Sequence, residues 1–141
     1  MFGYCISLTK APKLPATTLT SHCYAHMFNG CMSLTTAPEL QSTTLADGCY
    51  DSMFESCTNL TTAPELPATT LVTTCYNNMF YRCSKLNYIK CLATDISANF
   101  CTHNWVTSVQ TTSGTFVKNS SMNSWTTGVN GIPTNWTIQN V

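Results

Sequence analysis

The sequence predicts a right-handed α/β solenoid of 26-residue coils, with a small β-rich module at its C-terminal end. Three observations predict it. Matched residues recur at a fixed interval of 26. Each unit joins a short extended arm to an apolar stripe of helical spacing. The pattern then gives way after Leu86 to a Thr/Ser/Asn-rich segment broken by turn signals.

The repeat is carried by many columns at once. Cys5, Cys31, Cys57 and Cys83 are 26 residues apart, as are Cys23, Cys49 and Cys75, and Tyr24, Tyr50 and Tyr76 follow the second set. The pairs Met1-Phe2, Met27-Phe28, Met53-Phe54 and Met79-Phe80 keep the interval. So do Leu8, Leu34, Leu60 and Leu86, and the Ala-Pro pairs that begin at Ala11, Ala37 and Ala63. Full units fall at 8–33, 34–59 and 60–85, with partial units at both ends. No such coil buries its apolar side alone; each gains stability from its neighbours.

Between Leu45 and Leu60 the repeated residues are Cys49, Tyr50, Met53, Phe54 and Cys57. That spacing forms one stripe on a helix of about 3.6 residues per turn, so a short helix is expected there. The positions between them change freely. Ala25-His26 becomes Asp51-Ser52 and then Asn77-Asn78, while Asn29-Gly30 becomes Glu55-Ser56 and then Tyr81-Arg82. Buried positions demand one size; solvent positions do not.

The other half of the unit, Leu34-Thr35-Thr36-Ala37-Pro38-Glu39-Leu40, reads as a short extended arm. Pro38 has no N–H to give a ladder, so pairing there should be brief and end near the proline. Pro15 and Pro67 stiffen the following turn in the neighbouring units. Met1-Phe2 occupies the Met-Phe column, so the chain is expected to begin inside a helix, as a fragment of a longer array would. At the other end, 87–91 supplies one more candidate strand. Short extended pieces are expected at 105–109, Thr115–Lys118 and 136–141, interrupted by Ser113-Gly114, Asn130-Gly131 and Ile132-Pro133. Two parts result, a repeat solenoid over 1–100 and a β-rich cap or module over 101–141.

The string Met-Phe-x-x-Cys-x-x-Leu resembles the BspA-like leucine-rich repeats of bacterial surface proteins. It is carried by Met27, Phe28, Cys31 and Leu34 and again by Met53, Phe54, Cys57 and Leu60. The resemblance covers residues 1–86. It implies a leucine-rich-repeat solenoid on a cell surface, adhesive and without catalysis. Thr-Thr-Ala-Pro-Glu stands where the family's isoleucine-rich strand would be, so the face it builds is expected to differ. The tail resembles those that follow such repeats in gut bacterial and phage proteins.

Composition narrows the function classes. Charged residues make up 9% of the 141, with six basic against six acidic, and hydroxyls and amides fill the polar positions. No basic block is present to neutralise a run of phosphates, so no nucleic-acid partner is expected. No apolar run approaches the roughly 18–20 residues that cross a bilayer, so no membrane insertion by this chain is expected. The first residues lack the basic and apolar regions of a signal peptide.

The chemistry-bearing residues read as structural. Most of the nine cysteines sit in the repeat columns. Helices packed about 8–10 Å apart would hold them beyond disulfide reach, as buried thiols. Cys91 and Cys101, outside those columns, are the pair to test for a bridge. No Cys-x-x-Cys is present to support a zinc site. His22 and His26 could share a helix face, but neither recurs, and His103 stands alone. No glycine-rich phosphate loop is visible, a repeated Cys is a poor candidate for the nucleophile of a Cys–His pair, and 101–141 shows no nucleophile–base pair. The triplets at Asn59, Asn119 and Asn135 match the glycosylation pattern by coincidence. The expectation is no enzyme, no metal and no cofactor.

Parallel strands about 4.8 Å apart against helices about 8–10 Å apart would force curvature with the strands inside. Lys10, Lys13, Thr36, Glu39, Thr62 and Glu65 are therefore the first candidates for a ligand face, with a salt-bridged Lys13–Glu39 step as one arrangement. The varying residues His26, Asp51, Glu55, Tyr81 and Arg82 are the second. The expected role is a surface binding or adhesion module recognising a protein or glycan on a host or neighbouring cell, located outside the cell. The alternative is a structural or receptor-binding component of a gut-bacteriophage virion.

Overall fold

In the computed structural model, which describes residues 1–110 and 112–141, the 26-residue coils stack but contain no helix among the described residues. Strands are limited to β1 (Tyr88–Cys91), β2 (Thr115–Lys118) and β3 (Thr137–Asn140). They form one parallel sheet in the order β1-β2-β3. The expected α/β leucine-rich-repeat solenoid is therefore corrected: the segments read as helices are ribbons of turns.

The backbone bonding shows why. The N–H groups of Gly48, Tyr50, Ser52, Phe54 and Ser56 donate to the carbonyls of Thr73, Cys75, Asn77, Met79 and Tyr81 in the next coil, at 2.7–3.1 Å. The residues between them, Cys49, Asp51, Met53, Glu55 and Cys57, donate three residues back within their own coil at 3.0–3.2 Å. Alternate amides thus serve the coil and its neighbour, and the buried backbone is satisfied throughout the ribbon. An α-helix would bond every interior N–H to the carbonyl four residues back along its own axis, leaving none for the neighbour.

The side chains keep the register that these bonds set. Facing ring centroids of successive coils lie 5.7 Å apart at Phe28–Phe54 and 5.8 Å at Phe54–Phe80. Without helices, nothing forces the strands onto a concave inner face.

Every fourth ribbon residue has a positive φ: His22 (56°), His26 (55°), Gly48 (61°), Ser52 (51°), Ser56 (61°), Thr74 (53°), Asn78 (49°) and Arg82 (61°). For a residue with a Cβ this left-handed conformation costs roughly 1–2 kcal/mol. It is offset by the cross-coil hydrogen bonds that the geometry permits.

The apolar stripe does face inward. Phe28, Phe54 and Phe80 are fully buried and stacked, with Phe2 at the near end. A second stack runs Tyr24–Tyr50–Tyr76 at 6.0–6.1 Å. Trp105 closes both stacks, 6.2 Å from Tyr76 and 6.2 Å from Phe80, and Trp125 lies parallel on it at 5.5 Å. Like residue rests on like residue along one spine, although no helix carries it.

The extended arms pair as expected around the prolines. Isolated parallel bridges join Lys10 to Thr36 and Leu14 to Leu40, flanking Pro12 and Pro38, and Thr62 to Tyr88 and Leu66 to Cys91, flanking Pro64. A full ladder appears only where the column Pro12/Pro38/Pro64 becomes Lys90, inside β1, which regains the missing donor. β2 and β3 fall on expected segments, whereas 105–109 continues the turn ribbon. Phe80 and Arg82 donate to the carbonyls of Trp105 and Thr107 at 2.9 and 2.8 Å, so bonding runs unbroken past residue 100.

Candidate functional site

The arm face holds the first set of candidate residues, and its prolines shape it. Between the flanking bridges the chain has no N–H to give at Pro12, Pro38 and Pro64, and pairing lapses there. A groove of about 330 Å³ opens over the first lapse, walled by Pro12, Pro15 and Pro38 and rimmed by Lys10, Lys13 and Glu39. A second, of about 560 Å³, continues along the stack between Pro38, Pro64 and Pro67, with Glu39 and Glu65. The two share Ala37, Pro38, Glu39 and Gln41.

Lys10, Lys13, Thr36, Glu39, Thr62 and Glu65 are all exposed. Lys10, Lys13, Thr36 and Glu39 line the first part of the groove, and Glu39 and Glu65 the second. Thr62 lies on the same face, bridged to Tyr88, but lines neither part. The Lys13–Glu39 step is not formed. Among the described residues the ion pair is Lys90–Glu65 at 3.0 Å, with side chains 29% and 53% exposed. A pair so wet contributes little stability. Its consequence is local: Glu65 is neutralised, while Lys10, Lys13 and Glu39 present their charges to whatever enters the groove.

Asp51 and Glu55 of the second set are engaged between coils. The Asn29 side-chain amide donates to Glu55 Oε2 at 2.9 Å, and that of Asn77 donates to Asp51 Oδ1 at 3.1 Å. Ser52 Oγ also donates to Asp51 Oδ1, at 2.9 Å. The Arg82 guanidinium sits 5.1 Å from the centre of the Tyr81 ring. His26 lies 3.4 Å from the Asn29 amide nitrogen. Asp51 and Glu55 thus tie neighbouring coils together.

The cysteines are free thiols, Cys91 and Cys101 included. Wide helix spacing is not what keeps them apart, since the coils are close. Cys31, Cys57 and Cys83 instead donate to the carbonyls of Phe2, Phe28 and Phe54, at 3.0, 3.2 and 3.0 Å. Burial pushes the Cys49 thiol up to about 11, and those of Cys57 and Cys91 up to about 12. Cys75 and Cys83 are raised by the same cause. These thiols stay protonated at neutral pH and pack as small apolar groups rather than as thiolates. Among the described residues no cluster of three or more His, Cys, Asp or Glu side chains could hold a metal ion. No helix of the described chain is long and apolar enough to cross a membrane.

Two features escaped the sequence reading. One is the proline column as the wall of a groove: its interval was visible, but only its effect on pairing was read from it. The other is a depression of about 260 Å³ beside Phe100, edged by Thr102, His103 and Asn130. Phe100 continues the His22/Gly48/Thr74 column of positive φ, at 54°. No periodic signal marks it, because Phe appears in that column once.

Compared with protein-family profiles, with curated proteins and with solved structures, the chain matches none.

Proposed function

We propose that this chain is a non-catalytic surface module that binds a protein or glycan through the proline-walled groove of the arm face. The observation that carries the reading is the groove itself, rimmed by Lys10, Lys13 and Glu39 with no ion pair among them. Exposed charges beside rigid apolar walls offer orientation and contact area together, as recognition surfaces do. A rigid wall also loses little conformational freedom on binding. The resemblance of the Met-Phe-x-x-Cys-x-x-Leu string to BspA-like repeats supports an extracellular location and a partner on a host or neighbouring cell.

Immobilised glycan arrays and intact host cells probed with the labelled chain test the reading. Lys13→Glu and Glu39→Lys each invert one rim charge at an exposed position, where stability should change by no more than about 0.5 kcal/mol. Binding that falls at least roughly fivefold, by about 1 kcal/mol, in either variant supports the groove as the recognition face. Binding that survives both substitutions unchanged removes it.

A further inference from the structure

We propose that the depression beside Phe100 is a subsite for one uncharged sugar ring, separate from the groove and sharing no residue with it. Three observations lead there. Phe100 is 64% exposed although it sits in a left-handed conformation that disfavours any Cβ-bearing residue. In the same column the His22 ring covers Gly48, whereas the Phe100 ring meets the His103 ring edge-on, at 5.3 Å and 80°. The positive φ belongs to the ribbon's fourth-residue pattern, but burial does not account for a phenylalanine ring left in solvent here.

The polar rim is held in place. Thr102 Oγ1 donates to the Asn130 carbonyl at 2.9 Å, and Asn130 Oδ1 accepts the Asn104 N–H at 2.6 Å. Asn130 is exposed, and with its oxygen engaged its NH₂ supplies donors. The His103 Nε2 lies 3.0 Å from the Asn104 side-chain amide nitrogen, which holds the ring in place.

An exposed aromatic face beside fixed donors complements a pyranose, which offers a C–H face to the ring and hydroxyl oxygens to the rim. The lining carries no lysine, arginine or carboxylate, so apart from the His103 ring it offers a phosphate, an ammonium or a carboxylate no charged partner. At about 260 Å³ the space suits one ring rather than a helix or strand of a protein partner.

The test is an amide-resolved NMR titration of the whole chain with the methyl glycosides of glucose, galactose and N-acetylglucosamine. At least one should shift the amides of 100–104 and 129–130 selectively, with a Kd on the order of 1 mM. Phe100→Ala should weaken that binding roughly tenfold or more, and Phe100→Trp, which keeps an aromatic face, should retain it. Lys13→Glu should leave the shifts unchanged, so that failure of the groove and failure of this subsite are read separately. The inference is overturned if none of the three glycosides shifts these amides at about 100 mM, or if Phe100→Ala binds as well as the parent.

Discussion

Phe54 lies face to face on Phe28, with ring centroids 5.7 Å apart and planes within 10° of parallel. Phe80 repeats the contact on its other side at 5.8 Å. Each ring is fully buried, so the column is a continuous apolar spine linking one coil to the next. Offset-stacked pairs are worth about 0.5–1.5 kcal/mol beyond their burial. A middle ring contributes to two of them.

Phe54→Ala should therefore cost about 3–5 kcal/mol, the range for large aromatic truncations in packed cores. Thermal melting measures it. A midpoint equal to the parent's would show that the column does not bear the stack.

Gly48 has φ +61°, and a Cβ built on it would fall 2.5 Å from His22 Nε2. Gly48→Ala should destabilise by roughly 1–2 kcal/mol from the backbone alone, with the His22 contact adding to that. Pairing it with His22→Ala should recover the contact part and leave the backbone part. Equal melting of the single and double variants would show that the ring does not cover the glycine.

The Tyr76 hydroxyl is buried without a hydrogen-bond partner, although its ring is stacked on both sides. Removing an unpaired buried hydroxyl removes its desolvation penalty. Tyr76→Phe should leave the melting midpoint unchanged or raise it, by up to about 1 kcal/mol. A clear loss of stability would mean that the hydroxyl is satisfied.

The thiol columns make stability sensitive to alkali. Burial raises Cys49 from 9.0 to about 11 and Cys57 and Cys91 from 9.0 to about 12. Below pH 9 both folded and unfolded chains hold these protons, and the stabilisation is fully present. Above it the unfolded chain releases protons that the folded chain retains, so unfolding becomes progressively more favourable. Melting under reducing conditions should be level up to about pH 9 and fall between about 9 and 12. A level profile through that window would place the thiols in water.

The stack, its interval and its buried columns were legible in the sequence because burial repeats residue types. The conformation of the ribbon was not. Cys49, Tyr50, Met53, Phe54 and Cys57 fit a helical stripe, but they fit a period of four equally well. Over so short a run the two do not separate. The discriminating signal lay between them, in Gly48, Ser52 and Ser56 and their counterparts Gly30 and Asn78. These small and amide side chains suit left-handed turns and disfavour a helix, but His22, His26, Thr74 and Arg82 fill the same columns and mask the signal. The arm was easier to read, since proline's missing donor acts locally, and bridges instead of a ladder followed directly. Only the groove that the lapsed pairing leaves, and the pairing of Glu65 with Lys90 rather than Glu39 with Lys13, required coordinates.

Through-hydrogen-bond scalar couplings between amide nitrogens and carbonyl carbons decide directly between stacked turns and stacked helices. The Tyr50 and Phe54 amides should correlate with the carbonyls of Cys75 and Met79, which accept them at 3.1 and 3.0 Å. Correlations to Ala46 and Tyr50 instead, four residues back along the same coil, would contradict the turn ribbon and restore the helix.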